Sequence, residues 1–291
     1  NGAINFSNVL MTATTQNQFG QGWPNFAFEE NGSWGPRLNG LVKDWGTEVD
    51  GVRQQKPYAY VEDNLRNFYD TGLDHTNEIS ISAGGEHTSL IFSYGNVGQR
   101  GITPGNVDRY TRNNFSFRGN TKYDKFEANF SLNYVRKDAN LIFSGQGTAD
   151  GGKTLFQELI QTPVDIDLTS LKDYNNVYNN YDNFYTLYAS NPYKVVKDNK
   201  GVAQDDRVYG KVDLSYKLIK GLTAVGRLGG DFSSTRFRDF GSIITYSPGS
   251  FSATGKKAPV TGRYGENFRR NNQIDATVML QADYKLTEDI G

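Results

Sequence analysis

Few side chains in this sequence have types and spacings that could carry out a reaction. The chain contains no cysteine and only two histidines, His75 and His87. His75 precedes a predicted strand, His87 falls in a predicted tight turn, and neither has the spacing of a metal ligand. No nucleophile is paired with a base, and no carboxylate pair suited to acid–base catalysis is visible. We therefore predict that the chain is not an enzyme and has no catalytic residue, metal site or cofactor.

Two acidic pairs are the groups that could hold a cation. Asp165 with Asp167, and Asp205 with Asp206, fall between predicted strands, where their carboxylates could bind Ca²⁺. Neither pair has the fixed spacing of known calcium loops, so ordinary turn residues are the alternative interpretation.

Aromatic side chains outside the predicted strands are candidates for ligand contact, because tryptophan and tyrosine rings offer flat apolar faces on which sugars can stack. The candidates for contact with a ligand or a partner protein are Trp23, Trp34, Trp45, Tyr178, Tyr181, Tyr185 and Tyr188. Packing among the loops or against a partner protein is the alternative for this set.

The elements that would position these residues are long strands with a period of two. Between residues 125 and 135 the even positions are apolar or aromatic and the odd positions are mainly polar, and residues 207–218, 222–231 and 273–285 repeat this alternation. Such a pattern predicts strands with one apolar face and one polar face. At roughly 10 to 12 residues, they match a tilted bilayer span better than the usual strand of about 5 or 6.

Loop lengths give a second, independent signal. The predicted strands lie near residues 76–83, 88–95, 109–119, 124–135, 207–217, 222–232 and 270–285. The predicted tight turns span residues 84–87, 120–123 and 218–221. The longer connections span residues 96–108, 136–206 and 233–269. This alternation is typical of a transmembrane barrel, with short periplasmic turns and long extracellular loops.

Short helices are predicted within the long connections. Apolar side chains at helical spacing predict a helix over residues 153–161, ended by Pro163, and residues 63–69 predict another. Residues 173–188, rich in tyrosine and asparagine, predict an ordered loop without regular structure.

Charged residues on the polar faces of the strands would line the inside of such a barrel. They could pair with a plug domain or line a substrate path, and a solvated barrel interior is the alternative. The charged residues predicted to face the lumen are Arg112, Arg118, Lys125, Glu127, Lys211, Asp213, Arg227 and Asp231.

Composition agrees with an all-β class and argues against several others. The chain has 18 Tyr, 18 Phe and 32 Gly, a mixture that favours strands and turns. Its formal net charge of −1 supplies no general attraction to nucleic acid, so we expect no nucleic-acid partner. No stretch approaches about 18 consecutive apolar residues, which excludes a membrane-spanning helix. Any export signal is expected to lie outside the sequence.

Several blocks of the sequence resemble one family. The first blocks are QNQFGQGW at residues 16–23, ENGSWGP at 30–36, VEDNLRNFYDTG at 61–72 and NEISISAGGEHTSLIFSYGNVGQRGITP at 77–104. Further blocks are LTSLKDY at 168–174, NPY at 191–193 and DRVYGKVDLSYKLIKGL at 206–222. In order and spacing they are similar to the segment that follows the plug domain in the SusC/RagA family of TonB-linked outer-membrane transporters. The likeness covers nearly the whole chain.

The resemblance implies an all-β fold, a fragment of about eight strands from a 22-stranded parent barrel, with residues 1–13 as the first strand. It implies a bacterial outer-membrane location, contact with outer-membrane lipid, energy coupling through TonB, and a SusD-like lipoprotein that caps the barrel. The implied cargo is an oligosaccharide or a peptide. We expect residues 1–291 to be one partial barrel domain, with the plug, the TonB box and the closing strands outside it.

Energised import of a glycan or peptide is therefore the first functional hypothesis. The alternative is a passive or adhesive outer-membrane barrel whose loops bind a partner without transport, and the presence of a plug and a TonB box upstream would distinguish the two. A siderophore or cobalamin receptor is disfavoured by the SusC-like blocks, and a soluble β-sandwich by the alternation of loop lengths.

Overall fold

Long antiparallel strands make up most of the protein in its computed structural model, which describes residues 38–142, 154–187 and 189–284. No helix in these residues is long and apolar enough to cross a membrane. The strand that the sequence predicts over residues 1–13 lies outside the described residues.

The strands form one large sheet and one small hairpin. They are β1 (Val42–Val49), β2 (Val52–Pro57), β3 (Leu73–Gly84), β4 (Thr88–Arg100), β5 (Arg109–Tyr123), β6 (Phe126–Leu141), β7 (Asn199–Ile219), β8 (Leu222–Gly241) and β9 (Arg263–Ala282). β1 and β2 pair with each other, and β3 to β9 form a seven-stranded antiparallel sheet in which each strand pairs with its neighbours in sequence. The all-β prediction is confirmed, and the seven strands predicted after residue 75 are all present.

The strands extend further than predicted toward the rim with the long loops. β4 continues to Arg100, β6 to Leu141 and β8 to Gly241, whereas the sequence predicted ends near residues 95, 135 and 232. Mainly polar residues occupy both faces of these extensions, so no alternation of apolar and polar residues marks them.

The predicted tight turn at residues 120–123 is wrong. β5 runs to Tyr123 and β6 begins at Phe126, so the turn consists of Asp124 and Lys125. Asp124 has a φ of 50°, in the left-handed region that aspartate tolerates better than most residues.

The strand register places the apolar side chains of all seven strands on one face. One row of cross-strand partners runs through Ile81, Phe92, Phe117, Leu132, Gly210, Gly230 and Ile274. The next row toward the short turns runs through Ala83, Leu90, Gly119, Phe130, Val212, Leu228 and Ala276. Because consecutive residues of a strand point to opposite sides, the polar side chains between them share the other face.

The β1–β2 hairpin and the helices lie at the rim with the long loops. The helices are α1 (Asn64–Phe68), α2 (Leu155–Gln161), α3 (Pro192–Asp198) and α4 (Phe251–Thr254), with a 3-10 helix at Leu168–Lys172. α1 and α2 fall within the predicted helical segments 63–69 and 153–161. The hairpin was not predicted, because an irregularity between Trp45 and Glu48 interrupts the alternation of its first strand.

The main hydrophobic core lies among these loops rather than in the sheet. It consists of Trp45, Phe68, Leu155, Leu159, Ile166, Leu168, Leu171, Phe184, Tyr185, Ala189 and Val196. Residues 242–262 join it through hydrogen bonds, since the Asp182 carboxylate accepts from the backbone N–H and the hydroxyl of Ser247 at 2.8 and 2.7 Å. We call the described parts of residues 38–72, 154–198 and 242–262 the loop cap.

Two glycines on the apolar face of the sheet should respond differently to a methyl group. A Cβ at Gly210 would lie 2.3 Å from the backbone oxygen of Ser131 on the adjacent strand, whereas a Cβ at Gly226 would have no atom within 4 Å beyond its chain neighbours. We expect Gly210→Ala to destabilise the protein by about 1–3 kcal/mol, because backbone must move. Gly226→Ala should be nearly neutral. Urea unfolding of the full-length protein in lipid vesicles tests this, and equal midpoints for the two variants would contradict it.

Candidate functional site: the polar sheet face and the loop cap

The polar face of the sheet contains a groove of about 820 Å³. Side chains from β5 to β9 line it, among them Arg112, Arg118, Lys137, Arg207 and Asp231. The groove therefore offers charged groups of both signs, together with the amides and hydroxyls that lie between them.

Seven of the eight charged residues predicted to face a lumen project from this polar face. By strand register they are Arg112, Arg118, Glu127, Lys211, Asp213, Arg227 and Asp231. The eighth, Lys125, lies in the turn between β5 and β6. That this face is the inside of a barrel stays a prediction.

Ion pairs hold several of these charges in fixed positions. The Nε atom of Arg207 donates to Asp231 at 2.9 Å, and a second guanidinium nitrogen contacts the same carboxylate. Asp213 lies between the ammonium of Lys211 at 2.7 Å and the guanidinium of Arg227 at 3.5 Å. The Arg207–Asp231 and Arg227–Asp213 pairs link β7 to β8, and the first of them lies in the lining of the groove.

Arg112 and Arg118 are among the positive charges of the groove that these pairs do not neutralise. Within the part of the chain that the structure describes, neither forms an ion pair, and both line the groove from β5. A guanidinium group in such a position can donate several hydrogen bonds to a carboxylate, carbonyl or hydroxyl of a solute.

The predicted aromatic contacts occupy different environments in the loop cap. Trp45 and Tyr185 are only 7% and 3% exposed, and their ring centroids lie 6.1 Å apart in its core. Tyr178 is half-buried and its hydroxyl donates to the backbone oxygen of Val52 at 3.1 Å, while Tyr181 is also half-buried. Burial favours packing rather than ligand contact for Trp45 and Tyr185, and contact through Tyr178 or Tyr181 stays a prediction. Outside the described residues lie Trp23, Trp34 and Tyr188.

Two phenols of the loop cap, those of Tyr181 and Tyr185, remain neutral at physiological pH. Burial raises the pKa of Tyr181, and the carboxylate of Asp198 adds to the effect. Burial also raises the pKa of Tyr185, with the charge of Glu158 as a further contribution. Both hydroxyls therefore serve the loop cap as neutral polar groups.

A buried ion pair joins two distant parts of the loop cap. The Lys56 ammonium on β2 contacts the Asp165 carboxylate, and the two side chains are 15% and 1% exposed. Lys56 also lies over the ring of Trp45, 5.6 Å from its centroid. Burial lowers the pKa of Lys56 and raises the pKa of Asp165, while the attraction between the two charges opposes both shifts.

The partners of the acidic pairs favour structural roles. Asp165 contacts an ammonium group, and Asp167 accepts from the backbone N–H and hydroxyl of Thr169 at 2.8 and 2.7 Å, which starts the 3-10 helix. Asp205 and Asp206 lie in β7 and not in the loop that the sequence predicted. No group of three or more His, Asp or Glu side chains that could hold a metal occurs among the described residues.

The sequence analysis did not identify the polar residues that hold the loop cap together. The buried Asn191 amide donates to the backbone oxygens of Leu171 and Asn179 at 2.7 and 3.1 Å. Its side-chain oxygen accepts from the backbone N–H of Tyr193 at 3.0 Å and starts α3. The available signal was Asn191 followed by Pro192, an N-cap residue before a proline at the first helical position.

The two histidines lie at opposite ends of the β3–β4 hairpin. His75 is in β3, and the ring centroid of His87, in the turn before β4, is 5.4 Å from that of Tyr123. Neither histidine lines the charged groove. The groove and the loop cap together suit the binding of a polar solute or a partner protein.

Solved structures share this fold. No protein family and no curated protein sequence matches the chain. The chain is similar to a structure of the RagAB peptide importer in its closed-closed state, with 17% identity and a TM-score of 0.57 over 78% of this chain and 24% of the other. The importer in its open-open state (TM-score 0.56) and a further structure of the RagAB peptide transporter (TM-score 0.57) match at the same identity over 78% and 79% of this chain.

These likenesses establish the fold as that of a β-barrel fragment. The chain spans about a quarter of the length of the chains that it matches, since 24% of each is covered.

Proposed function

We propose that the chain is part of a TonB-dependent importer in the bacterial outer membrane that works with a SusD-like surface lipoprotein. The apolar face that continues across all seven strands of the sheet carries the proposal. Large side chains on it are open to the surroundings, with Leu132 53% and Val278 90% exposed. A closed barrel in a bilayer is the setting in which strands present such a face to hydrocarbon and a polar face to the lumen.

Aromatic side chains border this face at both rims, as expected at the two membrane–water interfaces. Toward the long loops, Tyr94 and Phe115 are 4.8 Å apart between ring centroids, and Phe115 and Tyr134 are 6.1 Å apart. The row toward the short turns holds Tyr123, Phe126 and Tyr216. These rows are eight residues apart along β6, about 26 Å of strand, so a tilted strand spans most of an apolar band of about 25 Å. We call the apolar face between the two rows the apolar belt.

The lengths of the turns and loops then indicate which rim of the sheet faces which side of the membrane. The short turns face the periplasm and the loop cap faces outward, where its folded surface is available to a lipoprotein partner. The polar face lines the path of the cargo, and Arg112 and Arg118 provide donors along it. The cargo is an oligosaccharide or a peptide, and the similarity to structures of a peptide importer favours the peptide.

Energy coupling belongs to parts of the protein outside this chain. A plug domain in the lumen and its contact with TonB would open the path, while the chain described here supplies wall and rim. The proposed role is therefore binding and passage of cargo, without a chemical reaction.

Fractionation and uptake measurements on the full-length protein test the proposal. We expect it in the outer membrane, co-purifying with a lipoprotein, and we expect uptake of a labelled peptide mixture to fall to background when TonB is deleted. Uptake that continues without TonB would favour the passive or adhesive barrel. Absence of the protein from the outer membrane would overturn both.

A further inference from the structure

Three arginines lie on the apolar side of the sheet, just beyond the apolar belt toward the long loops. They are Arg236 and Arg238 on β8 and Arg270 on β9. The register pairs Arg236 with Phe268 and Ser234 with Arg270, so all three project from the same face as the exposed ring of Phe232. They are therefore neighbours of the belt and do not belong to the polar groove.

Carboxylates on this face form ion pairs with Arg136 and with one member of the trio, Arg236. Arg136 pairs with Asp138 at 2.7 Å and with Asp206 at 2.5 Å. Arg236 pairs with Glu266 at 2.6 Å. These three carboxylates are thus engaged by two of the four arginines on this part of the sheet.

Glu266 lies opposite Arg238 in the strand register, but its carboxylate is already bound by Arg236 and by the hydroxyl of Tyr264. Among the described residues neither Arg238 nor Arg270 forms an ion pair: Arg238 donates to the amide oxygen of Gln204 at 3.4 Å, and the guanidinium of Arg270 lies 4.8 Å from the ring centroid of Phe268. A guanidinium group that stacks on a ring through its flat face can still donate hydrogen bonds in its own plane.

The spacing of the three arginines suits a headgroup that bears one or two phosphates. Arg236 and Arg238 are two residues apart on one strand, which is about 7 Å. Arg270 lies opposite Ser234, two residues from Arg236 in the other direction. The Cα atoms of the three arginines therefore lie within roughly 14 Å of one another. Guanidinium groups bind phosphate through paired, charge-assisted hydrogen bonds. Beside them, Phe232 offers an apolar surface on the belt side for an acyl chain.

We propose that Arg236, Arg238 and Arg270 bind the phosphate-bearing headgroup of an outer-leaflet lipid, with its chains lying along the apolar belt. This inference rests on the proposed outer-membrane placement. A lipid fits better than free phosphate, because the site opens sideways from the sheet at the level where the belt ends and the headgroup layer begins.

Lipid binding by the full-length protein in detergent micelles tests the inference. Native mass spectrometry with diphosphoryl lipid A as the probe gives an apparent affinity, and inorganic phosphate at equal phosphate concentration separates lipid from free ion. We expect Arg238→Gln/Arg270→Gln to bind lipid A about tenfold more weakly, because two charge-assisted contacts are lost. The matched control Lys217→Gln/Lys220→Gln removes the same charge at the opposite rim and should bind like the wild type.

Several results would overturn the inference. Unchanged binding by the arginine double variant, an equal loss in the lysine control, or equal occupancy by inorganic phosphate would each show that these arginines do not form a lipid site. Fractionation distinguishes failure of the lipid-site inference from failure of the proposed function. If the protein resides in the outer membrane but the arginine double variant binds lipid A as well as the lysine control does, only the lipid site is refuted.

Discussion

Replacing Val278 by arginine is expected to destabilise the full-length protein in a bilayer by roughly 1–3 kcal/mol. Val278 is 90% exposed on β9, so in water its replacement would remove little packing and cost little. In hydrocarbon the same position would have to hold a charge. On β9 the register places the two aromatic rows at Asn272 and Leu280, so Val278 lies inside the apolar belt but nearer its short-turn edge. A charge there costs less than at the bilayer midplane and more than at the interface.

The neighbouring residue provides a matched control. Thr277 precedes Val278 on the same strand and projects from the polar face, where it pairs with Arg227. Thr277→Arg should cost less than about 1 kcal/mol, because a solvated interior tolerates the charge. Urea unfolding in lipid vesicles measures both free energies. Equal losses for the two variants, or no loss for Val278→Arg, would show that the apolar face does not meet lipid.

The sequence predicted the sheet well where one face is apolar and failed where both faces are polar. In β6, Phe130 and Leu132 alternate with Ser131 and Asn133, and the register confirms that the two pairs lie on opposite faces. Beyond Tyr134 the same strand continues through polar residues on both sides. Its hydrogen bonds to β5 and β7 persist there, but no period in the residue types reveals them.

The loop cap could not be predicted, because its contacts join residues that are far apart in sequence. Tyr178 reaches Val52 across 126 positions, and Lys56 reaches Asp165 across 109. No local period or spacing encodes such pairs. The sequence left ligand contact and loop packing open for the aromatic residues outside the strands, and Trp45 and Tyr185 fill a core that forms only when these segments meet.

Removing the ammonium group of Lys56 is expected to destabilise the loop cap by roughly 3–5 kcal/mol. Lys56→Met keeps an apolar stem beside Trp45 but leaves the Asp165 carboxylate, 1% exposed, without its counter-charge. The double variant Lys56→Met/Asp165→Asn has no charge at either position of the pair and should regain most of the loss. Hydrogen exchange of backbone amides in residues 154–187 measures the change, with the amides of β4 and β5 as an internal reference for the sheet.

Acid should partly rescue the single variant and not the double one. Burial already raises the pKa of Asp165, and the loss of Lys56 removes the positive charge that opposes this shift. The folded variant then binds a proton at higher pH than the unfolded chain does. Its stability should therefore rise as the pH falls from neutral through the raised pKa, while Lys56→Met/Asp165→Asn has no carboxylate to titrate at this position. If hydrogen exchange in Lys56→Met matches the wild type at neutral pH, the apolar core alone holds the loop cap together and the ion pair contributes nothing measurable.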